Sequence, residues 1–149
     1  MQYADLSEYG YGVAILSESK YGFAAEGNVL RISLLRSATA PDPEQDQGYH
    51  SFAWAVYPHA SHFHGSDVPL AGYFFNSPVQ VHYHQGDIHS NPLALTSERS
   101  IFAIENAPNV ILETVKRSDD DEFSKNGDMR IILRLYEAYG GHANAKLRM

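Results

Sequence analysis

The sequence predicts an antiparallel all-β fold with at most one or two short helices. Tyrosine and phenylalanine are abundant, 10 and 7 among 149 residues, and β-branched residues recur beside them in short runs. Gly, Pro, Asn or Asp interrupts those runs roughly every eight to fifteen residues, the punctuation of an antiparallel β protein. Where a run is long, it alternates with period two: Leu30, Ile32 and Leu34 share one face, and Val29, Arg31, Ser33 and Leu35 the other.

Taken in order, Gly12–Leu16 and Tyr21–Ala25 are short apolar runs flanking Ser17-Glu-Ser-Lys, which reads as a hairpin. Gly27-Asn28 turns the chain into a strand over Val29–Arg36. Ser37–Tyr49 is a loop carrying Pro41, Pro43, Gly48 and the acids Asp42, Glu44 and Asp46. Loops of this length within a domain are uncommon and often functional. His50–Tyr57 reads as a strand, with Phe52, Trp54 and Val56 on one face and Ser51, Ala53, Ala55 and Tyr57 on the other.

Ser66–Asn76 is the expected helix. Ser66 or Asp67 can cap it, Pro69 suits its first turn, and Leu70, Tyr73 and Phe74 are spaced to bury together. Val79–Tyr83 alternates again, and 85–100 is polar and irregular. Strands follow at Ile101–Glu105, Val110–Lys116 and Met129–Tyr136. The tip joining the last two holds Asp119, Asp120, Asp121 and Glu122, a run that stays solvated. The expected core is Leu30, Ile32, Leu34, Phe52, Trp54, Leu112, Ile131, Leu133 and Leu135. No internal repeat or linker divides the chain.

Composition narrows function by exclusion. The absence of cysteine removes a disulfide framework and thiolate chemistry. No apolar run approaches the ~18 residues of a membrane span, and the N-terminus has no basic start or apolar signal region. Neither a membrane partner nor a secretory signal is expected. A net charge of -7 argues against a nucleic-acid partner, which needs a basic footprint.

Three groupings carry possible chemistry. His59, His62 and His64 form H-x-x-H-x-H, and His82 and His84 form H-x-H on one face of a strand. Two such imidazoles can share a metal if a third ligand arrives. No acid stands beside the triplet in sequence, so no metal ligand is assigned. The loop acids are a conceivable general acid and base pair, but carboxylates so close in sequence do not hold a fixed separation unaided. No catalytic residue is assigned. Trp54, placed between Phe52 and Val56, reads as core rather than as a sugar platform.

Several stretches, in one order, carry a resemblance. They are Ala4-Asp-Leu-Ser-Glu-Tyr-Gly-Tyr-Gly-Val-Ala, Ser19-Lys-Tyr-Gly, Gly27-Asn-Val-Leu-Arg-Ile-Ser-Leu-Leu-Arg, Ala40-Pro-Asp-Pro with Asp46-Gln-Gly-Tyr-His-Ser-Phe, and Ala55-Val-Tyr-Pro-His. Phe75-Asn-Ser-Pro-Val, Val110-Ile-Leu-Glu-Thr-Val-Lys and Leu133-Arg-Leu-Tyr-Glu-Ala follow. Together they resemble the C-terminal β region of family 38 α-mannosidases, of the cytosolic and vacuolar branch.

The resemblance implies that residues 1–149 are part of a C-terminal β-sandwich domain, a piece of a galactose mutarotase-like supersandwich in a much longer enzyme. Family members are retaining, exo-acting and zinc-dependent. Their aspartate nucleophile and zinc ligands lie in N-terminal parts with no counterpart here, so the cofactor, zinc, belongs to the parent enzyme's catalytic domain and the isolated chain is expected to be inactive. The implied partners are an α-mannoside oligosaccharide, the catalytic domain and further copies of the enzyme; the implied compartment is cytoplasmic or vacuolar. In the family, the loop matching Arg36–His50 reaches toward the cleft, which nominates Asp46, Gln47, Gly48 and His50 for contact with substrate or catalytic domain. Golgi and lysosomal members place an arginine in this loop, and none stands between Arg36 and His50 here. The alternative readings are a free-standing carbohydrate-binding β module and a metal-binding β barrel using His82 and His84.

Overall fold

Tyr3–Glu8 (β1) and Tyr11–Ser17 (β2) form an antiparallel hairpin turning at Tyr9-Gly10. Trp54–Ala60 (β5) pairs antiparallel with the other edge of β2, giving a sheet of order β1-β2-β5. Between them in sequence, Phe23–Glu26 (β3) and Val29–Ile32 (β4) form a second hairpin over Gly27-Asn28. A single 3-10 turn, Phe63–Gly65, leads into the helix Val68–Asn76 (α1). The computed structural model describes residues 1–83, 100–119 and 129–149, and these fall into two units, Met1–Val81 and His82–Met149.

Alternation along each strand gives the first sheet two different faces. One face meets α1: Ala14, Leu16 and Val68 are buried together, with Tyr3, Ala55, Tyr57, Phe63, Ala71 and Phe75 packed around them. A fully buried Val or Leu contributes about 1.5–3 kcal/mol, so this cluster is the main apolar anchor of the unit. Small residues set the approach of the helix, because a side chain at Gly72 would run into the ring of Tyr3. Asp67 precedes α1 without a side-chain cap; its carboxylate instead accepts the Tyr57 hydroxyl at 2.9 Å. The other face of the sheet presents Leu6, Tyr11, Val13, Ile15 and Val56, which with Leu30 line an open groove of about 540 Å³.

In the second unit, Val110–Arg117 (β7) pairs antiparallel with Ile131–Glu137 (β8), with a bulge between Leu112 and Thr114. Ala103–Glu105 (β6) pairs antiparallel with Lys146–Arg148 (β9). Glu105 receives Lys146 at 3.3 Å and Arg148 at 3.1 Å, exposed pairs of small energetic weight. Glu137 ends β8 as an acceptor for Asn109 Nδ2 and the backbone N–H groups of Tyr139, Gly140 and Gly141, at 2.7–3.1 Å.

Every strand pair described is antiparallel and one α-helix is present among the described residues, as the sequence predicts. Several details differ. The run Gly12–Leu16 does not pair with Tyr21–Ala25; β2 is a central strand between β1 and β5, while β3 pairs with β4. Val79–Tyr83 is irregular and exposed rather than a strand.

The face of β5 is reversed: Ala55 and Tyr57 pack against the cluster under α1 and His59 is buried on the same side of the strand, whereas Trp54 and Val56 are 47% and 57% exposed. Phe52 lies before the strand and is half-buried. On α1 the buried residues are Val68, Pro69 and Gly72, and Leu70 and Phe74 are exposed. Ile131 and Leu135 are also exposed, because β7 and β8 form a two-stranded ribbon in which no second layer covers that face among the described residues. Leu30, Ile32, Leu34, Leu112 and Leu133 are half-buried. Asp119 is exposed and paired with Lys116, while Asp120, Asp121 and Glu122 lie outside the described residues.

Candidate functional site: a self-bonded loop entering strand β5

The segment from Ser33 to Ala53 leaves β4 and returns into β5, and both of its ends are tied down. Ser33 N–H donates to the Gly22 carbonyl at 2.8 Å. At the far end, Glu18 N–H donates to the Ala53 carbonyl and Ala53 N–H donates to the Glu18 carboxylate, each at 3.2 Å. The Lys20 ammonium lies 4.1 Å from the centre of the Phe52 ring, a cation–π contact beside the same anchor.

Between these anchors the loop is held by its own polar groups. The Asp42 carboxylate accepts Glu44 N–H at 2.9 Å, an Asx turn in which the side chain mimics a backbone turn. Gln45 N–H and Gln47 N–H donate to the carbonyls of Asp42 and Glu44. Ser37 Oγ donates to the Gln45 carbonyl, and Gln47 Nε2 to that of Pro43, both at 3.2 Å. Asp46 and Gly48 adopt φ of +58° and +124°; the second value favours glycine strongly, since an L side chain is strained there. The Ala40-Pro41 peptide is cis.

The four nominated residues are thus neighbours in one exposed, folded-back loop. His50 Nε2 lies 2.8 Å from the Asp46 carbonyl oxygen. A carbonyl only accepts, so Nε2 carries the proton and a neutral His50 presents Nδ1 as a bare acceptor. The Asp46 carboxylate and the Gln47 amide oxygen add two more acceptors. Tyr49, between Gly48 and His50, is 94% exposed. An acceptor-rich surface of this kind suits hydroxyl donors. Of the three loop acids, Asp42 is engaged in the turn, and Glu44 and Asp46 are exposed.

The histidine groupings resolve differently. His59 is buried, with Nε2 2.8 Å from Asp5 Oδ1; the two side chains are 3% and 8% exposed. No linear spacing announces this partner, which stands 54 residues away. His62 Nδ1 lies 3.0 Å from Ser61 Oγ, and the His62 and His64 rings are tilted neighbours at 5.9 Å. His82 is exposed, and His84 lies outside the described residues. Among the described residues no three His, Asp or Glu side chains come together to hold a metal ion, so this part of the chain does not fit a zinc centre. No helix among them is long and apolar enough to cross a membrane.

Two family descriptions match the chain: the glycosyl hydrolases family 38 C-terminal domain over residues 1–44, and the glycosyl hydrolases family 38 C-terminal beta sandwich domain over residues 109–149. Human alpha-mannosidase 2C1 is 35% identical over 148 residues, covering 99% of this chain and 13% of that protein. The alpha-mannosidase of Saccharomyces cerevisiae is 36% identical over 158 residues, 98% of this chain and 13% of the relative. Alpha-mannosidase G of Dictyostelium discoideum is 33% identical over 143 residues, 94% and 12%. The chain therefore spans only a small part of the length of these relatives, while nearly all of it is matched. By its ordered strands, its two family matches and these relatives, the chain belongs to glycosyl hydrolase family 38, in the C-terminal β-sandwich region of the α-mannosidases.

Proposed function

We propose that the chain serves as a C-terminal β-domain segment of a zinc-dependent, retaining exo-α-mannosidase that removes terminal α-mannose from oligosaccharides. The observation that carries this reading is the alignment of 99% of the chain with human alpha-mannosidase 2C1. Its role is to scaffold the catalytic domain and border the substrate cleft, and the parent enzyme is a cytoplasmic or vacuolar homo-oligomer. Among the described residues no ligand set for zinc comes together, and the metal in this reading belongs to the parent enzyme's catalytic domain.

Within that role, the loop through Asp46, Gln47, Gly48 and His50 is the part that faces sugar. Its chemistry supports the assignment: a carboxylate, an amide oxygen and a bare imidazole nitrogen are acceptors for hydroxyl groups, and the loop's internal hydrogen bonds hold them without a partner. The test is steady-state hydrolysis of an aryl α-mannoside and of a manno-oligosaccharide by the longer polypeptide that carries this segment. Asp46→Ala and His50→Ala are expected to raise KM for the oligosaccharide roughly three- to tenfold, the worth of one or two neutral hydrogen bonds. Unchanged constants in both variants would remove the loop from the cleft.

A further inference from the structure

Both faces of strand β5 carry apolar residues, but not equally. The side that carries Trp54 is the more apolar by sequence: Trp54, Val56 and Pro58 alternate with Ala55, Tyr57 and His59. Hydrophobic patterning alone would bury Trp54 and Val56, yet they are the exposed pair. In a strand, a one-residue slip exchanges the faces completely. Something other than apolar burial must therefore choose the observed register.

We infer that the buried Asp5–His59 pair is the register lock of β5, and through β5 the positioning device of the loop that ends at His50. Asp5 is on β1 and His59 on β5, with β2 between them, so the pair bridges strands that share no backbone hydrogen bonds. It can form because Gly12 of β2, the partner of His59 in the ladder, has no side chain; a Cβ there would overlap the His59 ring and come within 2.6 Å of Ser7 Cβ. A slipped strand would turn His59 to the groove side and leave the Asp5 carboxylate buried with no partner. Such a carboxylate is costly, whereas the pair in place is satisfied.

A second device acts in the same direction. Ala53 and Ser61 make their backbone bonds toward β2, so Pro58, at the opposite parity, turns its N–H-less nitrogen to the outer edge. A one-residue slip would turn that nitrogen inward at a ladder position. The same slip would displace the end of the loop by about 3.3 Å. Only this last, functional consequence rests on the reading of the loop as a cleft border.

Trp54 is the single tryptophan and stands half-exposed in the observed register, so its emission reports the register whatever the loop does. The test compares the full chain with Pro58→Ala, which keeps the pair, and with Asp5→Ala/Pro58→Ala, which removes both devices. Pro58→Ala should emit like the parent. The double variant should shift emission to the blue as Trp54 turns toward α1, with the far-ultraviolet strand signal retained. Parent-like emission in the double variant would overturn the proposal.

Because the double variant can fail to fold, the milder Asp5→Asn/Pro58→Ala chain provides a second measurement. The sequence has no cysteine, so the pair Ile15→Cys/Val56→Cys, Cα partners in the observed register, reports pairing directly. Its cross-linking yield should fall by at least half when introduced into that background. An undiminished yield would mean that the pair stabilises the sheet without choosing its register. A lost register with unchanged oligosaccharide KM in the longer enzyme would instead remove the loop from the cleft and leave the lock standing.

Discussion

Asp5 Oδ1 and His59 Nε2 meet at 2.8 Å over Gly12, a contact that spans three strands of one sheet. The glycine is as much a part of the arrangement as the two paired side chains, since any side chain at that position occupies the space of the imidazole. Gly12→Ala should lower the unfolding free energy by about 1–3 kcal/mol, the range for forcing extra volume into a packed site. Urea denaturation measures it, and a variant as stable as the parent would show that the ring moves aside freely.

The reversal of β5 shows where the sequence was readable and where it was not. Strand positions were legible from turn residues: Gly27-Asn28 does turn β3 into β4, and Val110 does begin β7. Strand pairing was not, because β1 carries Asp5, Ser7 and Glu8 and does not look like a strand until its partners are known. Asp5 is paired with His59, and Ser7 Oγ accepts the N–H of Phe63. The loop around Asp46 and His50 was legible as a loop from Pro41, Pro43 and Gly48. Its internal bonds were not, since donation from His50 to the Asp46 carbonyl depends on the left-handed turn between them.

Tyr57 supplies a test at alkaline pH. Its hydroxyl donates to the Asp67 carboxylate, and that bond, aided by partial burial and the negative charge of Asp67, holds the phenol above its ordinary value of 10.0. A raised pKa favours the neutral phenol in the fold. The contribution to stability is therefore complete below about pH 10 and is lost as pH rises through the raised value. Tyr57→Phe should flatten the dependence of melting temperature on pH in that window. An identical alkaline profile in the variant would mean that the bond contributes nothing in solution.

Glu137 supplies the acid counterpart. Donation from Asn109, with further donation from the N–H groups of Tyr139, Gly141 and Gly140, outweighs desolvation and holds its carboxyl below the ordinary 4.5. The charged form is favoured in the fold. Its contribution is present above pH 4.5 and disappears as pH falls through the lowered value. Glu137→Gln should lose that acid-dependent part and leave the β8–β9 connection more open. Amide hydrogen exchange at Tyr139, Gly140 and Gly141 reads this directly; protection equal to the parent's at neutral pH would contradict it.

The isolated chain should not hydrolyse an aryl α-mannoside. The resemblance assigns the nucleophile and zinc ligands to parts of the enzyme outside these residues, and the loop acids here are arranged as a turn. Turnover that scales with chain concentration through successive purification steps would overturn the assignment of this segment to a supporting role.

Self-association of the isolated chain follows from what its sheets leave uncovered. Trp54, Val56 and Tyr11 are exposed along the groove face of the first sheet, and Val115, Ile131 and Leu135 along the β7–β8 ribbon. Apolar faces of this kind promote association, as do strand edges without a neighbour, and β4 and β8 each pair on one side only among the described residues. Pro58 blunts the outer edge of β5 at one point, which directs pairing toward the segments Val29–Leu35 and Met129–Tyr136. The net charge of -7 opposes contact at neutral pH, but its reach is cut to about 8 Å in physiological salt. Sedimentation velocity at low and physiological salt should therefore show a monomer giving way to larger species as salt and concentration rise, with Val29→Lys and Ile131→Lys each reducing the shift. A monomer at both salt concentrations, up to high protein concentration, would mean that these faces close on their own.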